Sequence, residues 1–216
     1  MDKAMHLDPI PSKADVAAFY EAVAGRDGYQ AAMYQAPHRK QTFANVKRLL
    51  SVMLPLAPNV LEIGCADGIV SQWVAPRTAF LVGVEIVPAC VKRCEALNLP
   101  HADFLLADVE RAETWAEGWP GGGYDLVLAM DVIEHLRDPY KFMERARGWG
   151  RVVLLTTPIN EFPNPDAFSV EAFHNPRKNG DGSSHIWCFR EDTVRALFDE
   201  VYHYEDNGVT AIVVGR

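Results

Sequence analysis

The sequence predicts an α/β fold built on a doubly wound, mostly parallel sheet. The first observation is that short apolar runs alternate with segments of helical spacing after residue 57, which is typical of parallel strands joined by helices. The second is that the first run, Val60–Ile63, leads through a turn with two glycines into a helix over Ile69–Ala75. A strand, glycine turn and helix bring backbone N–H groups to the mouth of such a sheet, where a nucleotide-like ligand can lie.

The later elements follow in order, each bounded by turn residues or by a change of hydrophobic period. The predicted strands are 79–84, 102–106, 124–130 and 151–156, and the predicted helices are 88–97, 111–117 and 139–146. Residues 157–187 lack periodicity and are rich in Pro, Asn, Gly and Ser, which predicts a long functional loop. A helix over 190–198 and a hairpin of strands 201–204 and 209–214 complete the chain.

Two helices are predicted before the first strand. Residues 1–12 show little pattern, whereas Lys13–Ala24 carries apolar residues at helical spacing and a second helix runs from about His38 to Leu54. We therefore expect residues 1–57 to form a tail and helical cap. Residues 58–216 are expected to form the ligand-binding core of the same structural domain.

Length and charge restrict the class of partner. A chain of 216 residues is long enough to bury one core with modest additions, and its formal net charge is −8. An acidic chain disfavours non-specific binding of nucleic acid through a basic surface, so a nucleic-acid partner is not expected. One basic cluster is predicted to be a solvated helix face: His38, Arg39, Lys40, Lys47 and Arg48.

The sequence also predicts a cytoplasmic location. No apolar run approaches the roughly 20 residues that span a bilayer, and the first residues lack the apolar core of a signal peptide. The four cysteines show neither a disulfide framework nor a C-x-x-C pair, which predicts reduced thiols.

The glycine turn reads Glu62-Ile63-Gly64-Cys65-Ala66-Asp67-Gly68. A dinucleotide-binding fingerprint needs three glycines, and Ala66 stands between the two present here. With its acidic residue two positions before Gly64, the turn resembles the acidic-x-Gly-x-Gly-x-Gly signature of class I S-adenosylmethionine-dependent methyltransferases. Glycine is expected to be required at positions 64 and 68, because a side chain there would hold the ligand off the backbone. The resemblance assigns these residues to S-adenosylmethionine: Glu62, Gly64, Cys65, Asp67 and Gly68.

The resemblance covers roughly residues 59–198. It implies a Rossmann-like class I methyltransferase fold, whose seven-stranded and mostly parallel sheet has an antiparallel last strand. In related methyltransferases, a lid or substrate-binding cap precedes the first strand. The predicted N-terminal helical cap occupies that place here.

Further cofactor residues are expected at strand ends. Glu85 ends the second strand, where a carboxylate accepts hydrogen bonds from ribose hydroxyls, and Ile86 follows it. Asp108 and Val109 match the family positions that bind the adenine amino group and pack on the ring, although Asp108 also suits the cap of the next helix. Met130 is expected to meet the methionine part of the cofactor.

The segment Asp131-Val132-Ile133-Glu134-His135-Leu136 resembles that of many small-molecule methyltransferases, including the quinone-biosynthesis O-methyltransferases. His135 lies just past the fourth strand, where it can take a proton from a substrate hydroxyl as methyl transfer proceeds. The alternative is that His135 caps or packs the next turn while catalysis comes from alignment of nucleophile and methyl group. Both roles remain open.

Another interpretation joins Asp131, Glu134 and His135 with the distant His185. If the segment turns helically, positions 131, 134 and 135 share one face, and with a second imidazole they can hold a divalent cation. This set resembles the metal site of the small-RNA terminal ribose methyltransferases. No metal is assigned, since relatives not known for a metal carry the same Glu-His pair and the acidic chain shows no clear RNA surface.

The acceptor is expected to meet three residues. His185 lies in a segment that resembles the substrate-facing one of this group, and Tyr20 and Tyr29 lie in or beside the predicted cap. The predicted function is methyl transfer from S-adenosylmethionine to a small-molecule acceptor, with oxygen favoured. The alternatives are a metal-dependent RNA ribose methyltransferase, an NAD-dependent oxidoreductase and a non-catalytic protein that binds S-adenosylmethionine. The identity of the acceptor and the oligomeric state stay open.

Overall fold

The computed structural model describes residues 4–23, 29–111, 123–161 and 185–216, without the side chains of Val23 and Tyr29. Most of the predicted helix at 111–117 and most of the predicted loop at 157–187 lie outside these residues. The first residues of that loop, Thr157 and Pro158, belong to a strand instead.

Nine strands are described. They are β1 (Met5–His6), β2 (Asn59–Ile63), β3 (Phe80–Glu85), β4 (Ala102–Leu106), β5 (Tyr124–Met130), β6 (Gly150–Pro158), β7 (Trp187–Cys188), β8 (Val201–Asp206) and β9 (Thr210–Gly215). Seven of them form one sheet in the order β4-β3-β2-β5-β6-β9-β8, in which β9 alone runs antiparallel to the other six strands. The predicted fold class is confirmed. The short strands β1 and β7 pair with each other, which joins the N-terminal segment to the chain before β8.

The described helices are α1 (Lys13–Val23), α2 (Tyr29–Met33), α3 (Pro37–Met53), α4 (Ile69–Val74), α5 (Pro88–Ala96), α6 (Pro139–Trp149) and α7 (Glu191–Arg195). Helix α6 begins with Pro139 and is capped by Asp138, whose carboxylate accepts from the Lys141 N–H at 2.9 Å. Helix α7 is shorter than predicted because the N–H groups of Leu197 and Phe198 bond three residues back, which tightens the chain into turns.

The central strands of the sheet are buried on both faces. Along β5, Val127 and Ala129 point into one apolar cluster while Leu126 and Leu128 point into the other. The first cluster is covered by α6 and α7, and the second by α3 and α4. Strands buried on both sides read as continuous apolar runs, which is why the alternation of strands and helices was visible in the sequence.

Helix α3, which precedes the predicted core, packs on the sheet. Val46 and Leu50 are fully buried in the cluster that also contains Ile212 and Val214 of β9. Part of the predicted cap is therefore continuous with the hydrophobic core. Among the described residues no helix has the length and apolarity needed to cross a membrane. All four cysteines are buried, and none of them is in a disulfide bond.

Candidate active site

A cleft opens where β2, β3, β4 and β5 end, between these strands and the N-terminal helices. It holds about 1020 Å³ of space, part of it continuous with solvent. Most of its wall is apolar, and the polar or charged side chains that line it are Tyr20, Gln30, Tyr34, Arg39, Glu85, Asp108, Glu110, Asp131 and His135. A concave, mainly apolar space with a few polar groups at the carboxyl ends of parallel strands is the expected ligand site of this fold.

Gly64 shapes the floor of this cleft. It has a φ of 71°, and its N–H bonds the Val84 carbonyl at 2.8 Å. A Cβ placed there would lie 2.6 Å from Cγ2 of Val132, which itself lines the cleft. Glycine is therefore needed at this position because the chain after β5 approaches so closely.

Gly68 is required for packing, a reason that was not predicted from the sequence. Its φ is 76°, and a Cβ would lie 2.7 Å from Leu97 Cδ1 and 3.1 Å from Cys94 Sγ. The glycine thus lets the turn pack on α5, and it does not line the cleft. Cys65 is also behind the cleft, fully buried with its sulfur 3.9 Å from that of Cys94.

Asp67 and Glu62 bind other parts of the chain. Asp67 accepts from Arg93 Nε at 2.8 Å and from the Gln30 backbone N–H at 3.0 Å. Glu62 is buried and accepts from Ser71 Oγ at 2.6 Å, and neither carboxylate lines the cleft. The predicted cofactor contacts of Glu62, Cys65, Asp67 and Gly68 therefore stay predictions.

Glu85 lies at the cleft with both oxygens engaged. One oxygen accepts from the backbone N–H groups of Ile86 (2.7 Å) and Val87 (2.9 Å), and the other from Ala66 at 3.0 Å. Burial raises the pKa of this carboxyl, and the three N–H donors oppose that rise. A carboxylate oxygen has more than one lone pair, so ribose hydroxyls can still bind here. Ile86 lines the cleft beside it.

Asp108 both lines the cleft and caps the next turn, the two roles considered from the sequence. It lines the cleft, as does Val109, and its Oδ1 accepts from the Glu110 N–H at 2.8 Å at the start of the next turn. Its other oxygen is 3.4 Å from Lys13 Nζ of α1. The local cap therefore coexists with a place in the cleft, and it holds the carboxylate in a fixed direction.

Met130 and Asp131 line the cleft at the end of β5. Asp131 has a φ of 53°, and its N–H and one carboxylate oxygen both bond the Thr156 hydroxyl. Its other oxygen is ion-paired with Arg39 of α3. Predicting Arg39 as part of a solvated face was wrong, because α3 turns this side chain inward to a carboxylate.

His135 lines the cleft at the end of a one-turn 3₁₀ helix, Ile133–His135. Tyr20 of α1 also lines the cleft and meets the His135 ring edge-on, with 5.3 Å between ring centroids. On the other side His185 packs against His135 at 4.7 Å, buried and bonded through Nδ1 to Glu161. His185 is thus behind His135 and does not line the cleft, while Tyr29 begins α2 with its side chain outside the described atoms.

Glu134 lies beneath the two imidazoles. It is 1% exposed, its Oε2 accepts from Thr157 Oγ1 at 3.0 Å, and its Oε1 is 3.8 Å from His135 Nε2. Burial, helped by the charge of Asp131, raises the pKa of Glu134 to about 8 although His185 opposes the rise. Burial alone lowers the pKa of His185, but the hydrogen bond and charge of Glu161 raise it overall.

Three of the four residues considered as metal ligands from the sequence lie close together in the structure. Ligand atoms of Glu134, His135 and His185 all lie within 4.8 Å of one another. Asp131 is not part of this group, because it precedes the 3₁₀ turn at positive φ and pairs with Arg39.

Among the charged and amide side chains that line the described cleft, three were not found from the sequence: Gln30, Arg39 and Glu110. Arg39 is 92 residues from its carboxylate partner, and the Gln30 amide is 39 residues from the N–H that it accepts. Glu110 accepts from the N–H of Arg137, 27 residues away. Such contacts leave no local pattern, and a single charged residue on a cap helix carries no signal of its own.

Comparison with known proteins agrees with this geometry. Residues 34–201 match the sequence model of a family described as "Methyltransferase domain". A ubiquinone biosynthesis O-methyltransferase of Cereibacter sphaeroides is 29% identical over 141 residues, which are 61% of this chain and 53% of that protein. An uncharacterised methyltransferase of Mycobacterium bovis is 28% identical over 107 residues, 46% of this chain and 49% of that protein. The chain thus spans about half the length of the curated relatives it matches.

Solved structures share the fold. The N-methyltransferase NodS of Bradyrhizobium japonicum WM9, in complex with S-adenosylhomocysteine, has a TM-score of 0.66 at 15% identity, covering 93% of this chain and 97% of that one. Magnesium protoporphyrin IX methyltransferase of Synechocystis PCC 6803, with the same ligand, has a TM-score of 0.67 at 15% identity, covering 93% and 98%. Sheet order, family match and shared fold lead to one identification: the chain belongs to the methyltransferase domain family and has the Rossmann-like class I methyltransferase fold.

Proposed function

We propose that the chain transfers the methyl group of S-adenosylmethionine to a hydroxyl oxygen of a small molecule, with His135 as general base. The observation that carries this proposal is the place of His135, whose ring lines the cleft just after Met130 and Asp131. Tyr20 lies edge-on to the same ring, so an acceptor between α1 and β5 would meet both side chains.

The residues of the chain can bind, orient and deprotonate. The cofactor, when bound, supplies an electrophilic methyl group on a sulfonium, so catalysis depends mainly on alignment. His135 takes the proton of the acceptor hydroxyl as the oxygen gains its bond to carbon. Glu134 Oε1 lies 3.8 Å from His135 Nε2, so a positive charge on His135 would favour ionisation of this carboxyl in spite of its raised pKa, and the carboxylate would in turn stabilise the imidazolium.

A small acceptor suits the charge of the site better than a nucleic acid. Among the described residues that line the cleft, Arg39 is the one permanent cation, and it is paired with Asp131. The chain carries a formal net charge of −8. The phosphodiester backbone of a nucleic acid would be repelled by this negative charge, whereas a neutral hydroxylated molecule would not. The name of the Cereibacter sphaeroides relative also supports oxygen as the acceptor atom.

Turnover with a panel of phenols, catechols, sugars, carboxylic acids and amines would test this proposal. Production of S-adenosylhomocysteine is the measurement, and we expect it with hydroxylated acceptors. His135→Ala should lower kcat by about 10²–10⁴ without changing cofactor affinity. His38→Ala, a histidine of α3 outside the cleft lining, is the matched control. Full activity in His135→Ala would refute the general base.

A second candidate is a divalent cation at the group formed by Glu134, His135 and His185. Two observations favour it: Glu134 Oε1 is buried without a hydrogen-bond partner in the described part of the chain, and Glu161 holds His185 through Nδ1, which leaves Nε2 for a ligand. This model predicts that a chelator abolishes activity, that added Mg²⁺ or Mn²⁺ restores it, and that His185→Ala is as damaging as His135→Ala. We expect the chelator to have no effect and the larger loss at His135.

A further inference from the structure

Gln30 ties the N-terminal segment to the glycine turn at two points. Its backbone N–H donates to Asp67 Oδ2 at 3.0 Å, and its side-chain oxygen accepts from the Ile69 N–H at 3.0 Å. The residue is 8% exposed and still lines the cleft. Helix α2 is therefore attached to both sides of Gly68 by one residue.

These contacts determine which end of the Gln30 amide is free. A backbone N–H donates, so the group that faces Ile69 must be the carbonyl oxygen and the amide nitrogen must point elsewhere. That nitrogen has no hydrogen-bond partner in the described residues. Because Gln30 lines the cleft, this nitrogen is placed to donate to an acceptor on a molecule bound there.

The order of the strands indicates which part of the cofactor meets this donor. Asp108 follows β4 and Glu85 ends β3, so the predicted adenine and ribose positions lie at one side of the cleft. The amino-acid end of the cofactor then lies over the ends of β2 and β5, the next strands in the sheet. Gln30, bound to the turn after β2, is on that side, as is Arg39.

We propose that the Gln30 amide nitrogen donates a hydrogen bond to the carboxylate of the methionine moiety of S-adenosylmethionine. A carboxylate is the cofactor group that accepts from amide and guanidinium donors, and the ammonium group beside it is suited to Asp131 instead. Since the same side chain holds α2 on the glycine turn, cofactor binding and docking of the cap are coupled. The inference rests on the cofactor binding of the proposed function.

The sharpest test is Gln30→Glu. This variant keeps an oxygen for the Ile69 N–H but replaces the donor with a negative charge. Calorimetry should compare S-adenosylhomocysteine with 5′-methylthioadenosine, which has the same nucleoside and no amino-acid carboxylate. We expect the affinity for S-adenosylhomocysteine to fall at least about tenfold, as for the loss of one charge-assisted hydrogen bond, and that for methylthioadenosine to stay within about twofold.

Gln35→Glu is the matched control, because Gln35 is an exposed amide just after α2 whose nitrogen donates to the Ala31 carbonyl in the described structure. It should change neither affinity. If Gln30→Glu unfolds, Gln30→Met removes the donor without adding charge, and the same loss of preference for S-adenosylhomocysteine is expected. Equal losses for both nucleosides, or an unchanged affinity for S-adenosylhomocysteine, would overturn the inference. A wild-type chain that binds neither nucleoside would overturn the proposed function as well.

Discussion

Glu62 is the acidic residue of the cofactor signature, yet it lies in the protein interior. It is 4% exposed, its one hydrogen bond in the described chain comes from Ser71 Oγ at 2.6 Å, and it is absent from the cleft lining. Burial, opposed by Ser71 and reinforced by the charge of Glu85, raises its pKa from 4.5 to about 7. Glu62→Gln should therefore change how stability depends on pH more than it changes ligand binding.

The magnitude follows from linkage. A folded pKa of about 7 against 4.5 corresponds to about 3.4 kcal/mol, at 1.36 kcal/mol for each of 2.5 pH units. Because the folded pKa is raised, the wild-type carboxyl costs nothing below pH 4.5, and the penalty grows as pH rises and is complete above pH 7. The amide introduced by Glu62→Gln does not titrate, so the free energy of unfolding of this variant relative to wild type should increase by about 2–3 kcal/mol between pH 5 and pH 8.

Urea unfolding at pH 5, 6, 7 and 8 measures this difference. Burial of the amide adds a cost that does not vary with pH. The test is therefore the change with pH in the stability difference between variant and wild type, and not its value at one pH. Glu95→Gln, at an exposed glutamate of α5, is the control and should shift stability by less than about 0.5 kcal/mol. A constant difference between Glu62→Gln and wild type over this range would refute the buried ionisation. A tenfold loss of affinity for S-adenosylhomocysteine would instead restore Glu62 as a cofactor contact.

Two further predictions concern Gly68 and Glu85. Gly68→Ala and Gly208→Ala both place a side chain at positive φ, which costs about 1–2 kcal/mol, but only Gly68 would also meet Leu97 and Cys94, so thermal unfolding should show the larger loss there. Equal losses would show that packing against α5 adds nothing. Glu85→Ala should weaken S-adenosylhomocysteine binding by about 1.5–3 kcal/mol in calorimetry and also lower stability, because three backbone N–H groups lose their acceptor. Unchanged affinity would reduce Glu85 to a structural role.

The fold was largely predictable because each element carries its own local signal. Strands β4 and β5 have the predicted bounds, and the other strands of the large sheet differ from prediction by one or two residues. The central strand β5 is buried on both faces, so its apolar run ends at the first polar residue after Met130. Helix α7 was predicted too long, because the apolar residues Leu197 and Phe198 fit helical spacing whether or not the last turn is α-helical.

The site was only partly predictable because its signature mixes two kinds of residue. Gly64, Glu85 and Asp108 line the cleft, whereas Glu62 and Gly68 support the turn from behind. A sequence motif records that these residues occur together and not which of them contacts the ligand. For Gly68 the deciding neighbour is on α5, so its role depends on packing that no short motif contains.

The part of the chain outside the family match completes the site. The match begins at residue 34, after α1 and α2, yet these helices contribute Tyr20 and Gln30 to the cleft. The described ion pairs and hydrogen bonds between N-terminal helices and core carboxylates include Lys13 to Asp108, Gln30 to Asp67 and Arg39 to Asp131. Each link reaches the end of a different strand, so the helices are held over the whole length of the cleft. On the proposed function the acceptor lies between α1 and His135, so we expect the residues before 34 to help determine which acceptor fits.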